Sequence, residues 1–183
     1  WTVSGGASGF GGSGGNATIT NAAGQTRTGL LPGTSSTATD TTTSFTIAEA
    51  PSGGGQYVNV IGRQVGSEFY GGRVWIRGNG VIQVQALRGG TLLQGVDVPS
   101  LAYTPGTEVK VRVQVSGTNP TTVRAKVWLA GQTEPTGWTV SRTDTTSALQ
   151  AAGTVGLQVY VSASATTVPT TVKFSRFESV AIG

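Results

Sequence analysis

Several polar and aromatic side chains alternate with apolar residues along successive segments of the sequence. Flat aromatic rings in such positions stack on the apolar faces of sugar rings, and guanidinium or amide groups donate hydrogen bonds to hydroxyls or carboxylates. Trp75, Trp128 and Tyr160 are the predicted stacking residues. The predicted hydrogen-bond donors are Arg73, Arg77, Gln85 and Arg112.

This predicted site requires that several of the strands carrying these residues are neighbours in one sheet. The alternative is that the strands divide between two outer faces, where long polar side chains simply cover sheet surface. Exposed tryptophans at regular positions favour binding, because large apolar side chains are seldom displayed without a partner.

The residue types exclude most catalytic and metal chemistry. The 183 residues include no His, Cys or Met, so the usual zinc, copper and iron ligand sets are missing and so is the commonest general base. We therefore predict no cofactor. Calcium, which takes oxygen ligands, is the one metal left open, with Asp40 and Asp144 as candidate ligands; capping of turns is the favoured role for both.

Enzyme activity is not expected, although the residues leave two possibilities, a glycoside hydrolase and a polysaccharide lyase. Glu134 lies between Trp128 and Trp138, but no second carboxylate is near it in sequence, as glycoside hydrolysis requires. A lyase would use a tyrosine as base, with an arginine to neutralise a uronate. The tyrosines are Tyr57, Tyr70, Tyr103 and Tyr160.

Charge and hydropathy limit the partners. Lys and Arg number 12 against 8 Asp and Glu, for a net charge of +4 and a pI near 9.9. The basic residues are spread along the chain rather than clustered, so nucleic acid is not an expected partner. No apolar run approaches the roughly 20 residues of a membrane helix, so membrane insertion is not expected.

The low charge and the abundance of Thr, Ser and Gly indicate a secreted or cell-surface protein. The first residues, Trp1 to Ser4, do not resemble a signal peptide, so we expect that any signal peptide has been removed.

Period-2 alternation predicts one all-β domain spanning residues 1–183, with about ten or eleven antiparallel strands in a two-sheet sandwich. The segments 73–77 and 81–87 flank Gly78-Asn79-Gly80 and predict a hairpin. The segments 109–115 and 123–129 predict another. We expect a short helical turn within residues 147–152. The glycine-rich residues 5–15 are interpreted as a loop inside the domain, because Trp1 precedes them.

Several segments resemble the concanavalin A-like (laminin G-like) jelly-roll domains of secreted bacterial multidomain proteins. They are residues 55–63, Tyr103 to Thr107, Trp128 to Pro135 with Trp138, residues 153–157 ahead of Tyr160, and Phe174 to Phe177. The resemblance implies a jelly-roll sandwich. Many relatives carry Phe-Asp-Asp-Phe near the end, where an aspartate helps to hold calcium, whereas Ser175 and Arg176 occupy those positions here, which argues against calcium.

The sequence thus predicts a non-catalytic module that binds a polysaccharide or other glycan, or mediates adhesion, through an aromatic and basic sheet face. One alternative is a structural spacer or a self-assembling surface or filament subunit, whose partners are neighbouring domains or copies of itself. The weaker alternative is a polysaccharide lyase.

Overall fold

The computed structural model describes residues 1–183, which form two antiparallel sheets of seven strands each. Strands are numbered in chain order. The first sheet, in spatial order, consists of β1 (Thr2–Ser4), β4 (Thr26–Ser36), β13 (Gly153–Val161), β6 (Gln56–Val65), β7 (Glu68–Ile76), β8 (Val81–Arg88) and β9 (Thr91–Ala102). The second consists of β12 (Val140–Asp144), β11 (Thr121–Leu129), β10 (Val109–Ser116), β5 (Thr39–Ile47), β14 (Thr170–Ala181), β3 (Asn16–Asn21) and β2 (Phe10–Ser13).

The core lies between the sheets and is built from the alternating apolar residues. Val109, Val111, Val113 and Val115 of β10 are fully buried, and they face the first sheet, where Val58 and Val60 of β6 are buried equally. Gly72 of β7 brings the sheets close together, because a Cβ at this position would meet Val113 and Ala125. The interior is therefore tightly packed beneath β7.

The fold class and both hairpins are confirmed. The strand β7 pairs with β8, with a positive φ of 81° at Gly80 in the turn, and β10 pairs with β11 from Val109 opposite Leu129 to Ser116 opposite Thr122. A 3₁₀ turn at Ser147–Leu149 confirms the expected helical turn, and a second lies at Ala7–Gly9. The fourteen strands exceed the ten or eleven predicted, because short edge strands rich in Gly, such as β2, carry little alternation. No helix in the structure has the length and hydropathy needed to cross a membrane.

The glycine-rich segment packs around one buried arginine and is partly strand rather than a plain loop. Arg27 is only 7 % exposed, and its guanidinium donates hydrogen bonds to the Gly6 carbonyl, the Thr20 carbonyl and Asn21 Oδ1. A Cβ at Gly9 would overlap the Arg27 side chain. Glycine is required at this position because nothing larger fits between the 3₁₀ turn and the guanidinium.

Gly9→Ala is expected to lower the free energy of unfolding by about 1–3 kcal/mol, because the added methyl must displace Arg27 in a packed site. The control is Gly12→Ala in the same segment, where the nearest atom to an added Cβ is the Asn16 carbonyl oxygen at 3.5 Å. That change should stay within about 0.5 kcal/mol. Urea denaturation measures both, and equal stability of the two variants would contradict this packing.

A second buried arginine ties loops at one end of the sandwich together. Arg63 of β6 is fully buried and has no carboxylate partner. It donates to Thr121 Oγ1 at 2.8 Å and to the carbonyl oxygens of Leu149 at 3.0 Å, Gly117 at 2.8 Å and Thr37. Burial lowers the pKa of Arg63, but the guanidinium remains charged because its ordinary pKa is so high.

Arg63→Met is expected to lower the free energy of unfolding by about 3 kcal/mol, because three backbone carbonyls lose a donor at about 1 kcal/mol each. Arg142→Met on exposed β12 makes the same chemical change and should shift stability by less than about 0.5 kcal/mol. Thermal and urea unfolding provide the measurement. An unchanged midpoint for Arg63→Met would show that these bonds contribute no net stability.

Candidate functional site

The outer face of the first sheet carries two rows of side chains that run across its central strands. Register places Tyr160 of β13 opposite Tyr57 of β6, and Tyr57 opposite Trp75 of β7. We call these three residues the aromatic row. The next row along the strands contains Thr28, Gln158, Asn59, Arg73 and Gln85, and we call it the amide row. Their strands point these residues outward because the intervening valines point into the core.

The aromatic row is a continuous set of rings. Tyr57 and Trp75 stack with centroids 5.3 Å apart and planes 10° apart, and Tyr160 lies 5.3 Å from Tyr57 at 44°. The loop before β6 fixes two of the rings, because the Gly54 carbonyl accepts the Trp75 indole N–H at 2.8 Å and the Tyr57 hydroxyl at 3.1 Å. The rings therefore have defined positions across three adjacent strands.

The amide row is a chain of hydrogen bonds that passes from strand to strand. Gln158 Nε2 donates to Thr28 Oγ1 at 3.0 Å, and Asn59 Nδ2 donates to Gln158 Oε1 at 2.6 Å. Arg73 continues the chain, donating from Nε to Asn59 Oδ1 at 2.7 Å and from Nη1 to Gln85 Oε1 at 3.1 Å. Asn59 and Gln85 are only 1 % and 5 % exposed, so the amide row serves mainly to hold Arg73 in position.

Arg73 is the unbalanced charge on this face. It forms no ion pair, and its Nη2 donates to no protein atom, although its Nε and Nη1 are held. Its guanidinium carbon also lies 5.4 Å from the Tyr57 ring centroid. Arg77, by contrast, makes a bidentate pair with Asp97 at 2.8 and 3.1 Å, and lies 4.6 Å from the Trp75 ring centroid. The face thus offers one positive charge without a counter-ion.

Burial sets the protonation of the groups around Arg73. Burial raises the pKa of Tyr57 above its usual 10.0, and the nearby Arg73 opposes this shift. Burial also lowers the pKa of Arg73, which stays protonated because the ordinary pKa of a guanidinium is so high. At neutral pH this part of the face therefore presents a neutral phenol beside a cationic guanidinium.

An apolar cluster and an open depression lie on either side of the two rows. On one side of the amide row, Ile61, Phe69 and Leu87 form a small apolar cluster against which Leu30 packs. At the other end, beside Trp75 and Arg77, an open depression of about 500 Å³ is lined by Gly53, Gly54, Gly78 and Asn79. The rows therefore lie between an apolar border and a polar, glycine-lined depression.

The structure divides the seven predicted site residues between the two outer faces of the sandwich. Five lie together on the first sheet, in or beside the two rows: Arg73, Trp75, Arg77, Gln85 and Tyr160. Arg112 of β10 and Trp128 of β11 lie on the second sheet. The expectation of a single surface is therefore wrong for these two residues, whereas glycan binding by any of the seven stays a prediction.

The Trp128 ring is also not an exposed stacking surface, because only 6 % of the residue is exposed. The loop 130–139 returns across this end of the second sheet, with Lys126 Nζ donating to the Pro135 carbonyl at 2.7 Å. Arg112 is held within this region by Asp40 and by Glu134, each at 2.8 Å. Trp128 therefore presents little of its ring for stacking, and two carboxylates already occupy the Arg112 guanidinium.

The two candidate calcium aspartates have separate structural roles. Asp144 accepts the Thr146 backbone N–H at 2.8 Å, which confirms the predicted turn cap, and pairs with Arg88. Asp40 lies within strand β5 and accepts from Arg112 and Gln114, so the expectation that it caps a turn is wrong. No three acidic side chains in the structure come together as a metal site would need.

Four residues of the two rows are not among the seven predicted site residues: Thr28, Tyr57, Asn59 and Gln158. Tyr57 completes the aromatic row and Asn59 connects Gln158 to Arg73. The signal was present, because Tyr57-Val58-Asn59-Val60 alternates like the neighbouring strands. It was obscured by the apolar character of residues 57–61, which gave this strand the appearance of a buried one.

Comparison with known proteins identifies the fold but no family. Neither a protein-family model nor a curated protein matches the sequence. Among solved structures, the chain is similar to carbohydrate-binding module CBM66 from Bacillus subtilis, with a TM-score of 0.61 and 11 % identity over 94 % of this chain and 91 % of that one. It is also similar to a marine PL-14 alginate lyase from Aplysia kurodai, with a TM-score of 0.62 and 10 % identity over 100 % and 90 % of the two chains.

A third similar structure is the CBM2 module of an evolved Dit protein of Lactobacillus casei BL23 phage J-1. Its TM-score is 0.56 and its identity 12 %, over 93 % of this chain and 77 % of that one. The chain therefore has the jelly-roll sandwich fold that carbohydrate-binding modules and alginate lyases share. At such low identity the likeness extends to the fold alone.

Proposed function

We propose that this chain is a non-catalytic, secreted or cell-surface module that binds an anionic polysaccharide across the outer face of its first sheet. The observation that carries the proposal is Arg73, a half-buried guanidinium without a counter-ion beside three contiguous rings. A sugar ring stacked on the aromatic row brings its carboxylate or sulfate to the free Nη2 of Arg73, which donates charge-assisted hydrogen bonds.

The shape of the face fits an extended ligand. The aromatic row crosses three strands, which spans roughly 10 Å at the usual strand spacing, and it continues past Trp75 into the open depression. A polymer that crosses the strands meets the three rings and, beside them, the free Nη2 of Arg73. This arrangement supports binding of a chain rather than of a single small molecule.

The same face places Tyr57 and Tyr160 near Arg73, the residue types that a lyase would use, but two features favour binding without cleavage. Burial raises the pKa of Tyr57, which makes this phenol a poorer source of phenolate at neutral pH. The Asp97 carboxylate on this sheet is occupied by Arg77 and by Gln83 Nε2 at 2.6 Å. These features favour binding without bond cleavage. Unsaturated uronate released from alginate or polygalacturonate would contradict the non-catalytic proposal.

Arg73→Gln is expected to weaken binding to polygalacturonate or chondroitin sulfate by about tenfold or more, because a charge-assisted hydrogen bond contributes about 1.5–3 kcal/mol. Affinity electrophoresis and titration calorimetry at low and moderate salt measure the change. Arg142→Gln removes the same charge from exposed β12 on the second sheet and should retain affinity to within about twofold. Equal losses of affinity in the two variants would show that binding depends only on the net charge of the protein and not on Arg73.

Trp75→Ala is expected to weaken binding to the same polymers by about tenfold, through loss of the largest ring of the aromatic row, while the melting temperature changes little. Trp138→Ala is the matched control, because Trp138 is partly exposed against Arg124 and Lys126 of the second sheet. Unchanged affinity of Trp75→Ala, or failure of the wild-type protein to bind any acidic polysaccharide, would overturn the proposal.

A further inference from the structure

A second polar groove lies on the outer face of the second sheet, on the side of the sandwich opposite the aromatic row. Its volume is about 500 Å³, and its lining comes from strands β5, β10, β11 and β14 and from the loop 130–139. The residues that matter for ligand chemistry are Glu108, Lys110, Trp128, Glu134 and Arg176. None of them belongs to the face of the proposed polysaccharide site.

Trp128 supplies an unused hydrogen-bond donor to this groove. The residue is 6 % exposed, yet its indole N–H donates to no protein atom. The contrast with Trp75 is direct, because the indole N–H of Trp75 is satisfied by the Gly54 carbonyl at 2.8 Å. The Trp128 indole nitrogen is not fully buried, so this donor is open to water or to a ligand in the groove.

The two carboxylates of the groove each have an oxygen to spare. Glu134 Oε1 accepts from Arg112 and Lys126, both at 2.8 Å, and Glu108 Oε1 accepts from Ser175 Oγ. The Oε2 atoms of both residues accept from no protein group. Hydrogen bonds from Lys126 and Arg112 lower the pKa of Glu134, so it remains an ionised acceptor at neutral pH.

The charges that line the groove balance one another. Lys110 and Arg176 contribute two cations, and Glu108 and Glu134 contribute two anions. Lys110 makes no ion pair and no side-chain hydrogen bond, so its ammonium offers three donors to the groove. A ligand with many hydroxyls and no net charge fits this set, because each hydroxyl both donates and accepts.

We propose that this groove is a second, independent binding site for a neutral, hydroxyl-rich saccharide. Hydroxyl groups of the ligand accept from the Trp128 N–H and the Lys110 ammonium, and donate to the free Oε2 atoms of Glu108 and Glu134. Because the two sites lie on opposite faces and differ in charge, one molecule holds an acidic chain on one side and a neutral chain on the other.

The test uses a panel of neutral oligosaccharides, namely cellohexaose, mannohexaose, xylohexaose and fructo-oligosaccharides, titrated by calorimetry and by protein NMR. At least one of them should bind the wild-type protein and shift the Trp128 indole resonance. Binding should be unchanged in the Arg73→Gln/Trp75→Ala double variant, in which the first face is disabled. This arm separates failure of the second site from failure of the proposed polysaccharide site.

Lys110→Gln and Glu108→Gln are each expected to weaken the neutral ligand about tenfold, and both side chains are exposed enough for the fold to tolerate the change. Trp128→Phe keeps most of the ring volume and should weaken binding by a similar factor through loss of the N–H. Lys173→Gln, an exposed charge outside the groove, is the control and should bind like the wild type.

Three results would overturn the second site. One is that no neutral oligosaccharide of the panel binds the wild-type protein. Another is that a neutral ligand binds but the three groove variants retain full affinity. The last is that only acidic polymers bind and that Lys110→Gln abolishes their binding, since this would assign the groove to an anion.

Discussion

The register of β13, β6, β7 and β8 is the constraint on which the candidate site depends. It aligns Tyr160, Tyr57 and Trp75 in one row and Gln158, Asn59, Arg73 and Gln85 in the next. Register is fixed in turn by the valines that alternate with these residues, because a slip of one position would exchange the buried and outward sets. Core packing and surface chemistry are therefore set by the same pairing.

Alternation in the sequence predicts which side chains point outward, and it does so correctly for most of the strands. It does not predict which sheet a strand joins. Trp75 and Trp128 illustrate the difference: both alternate with buried residues, but β7 pairs with β6 and β8, while β11 pairs with β10 and β12. These pairings depend on long-range packing of two sheets, which a local pattern does not contain.

The burial of Trp128 has a further cause that alternation misses. The loop 130–139 covers its end of the second sheet, and contacts such as Lys126 with the Pro135 carbonyl hold the loop in place. Prediction of the two-sheet antiparallel sandwich needed only the periodic pattern and the turn residues. Prediction of which residues belong to the site also required the position of the loop 130–139. That position depends on side-chain contacts between the loop and the second sheet, which a local sequence pattern does not contain.

Three arginines show how neighbours decide the role of one residue type. Arg63 is fully buried and bonded mainly to backbone carbonyls, Arg112 is held between two carboxylates, and Arg73 has amide partners but no anion. Similar solved structures include both binding modules and lyases at 10–12 % identity. The difference in function among such proteins must therefore lie in side chains like these, on a shared sandwich.

The absence of a side chain at Gly72 lets the second sheet press directly against β7, immediately before Arg73. A strand clamped in this way has little room to shift, and its outward groups are already held by neighbouring amides. The proposed binding surface is thus preorganised, so ordering the protein around a ligand would cost little conformational entropy. More of the contact energy is then retained as affinity.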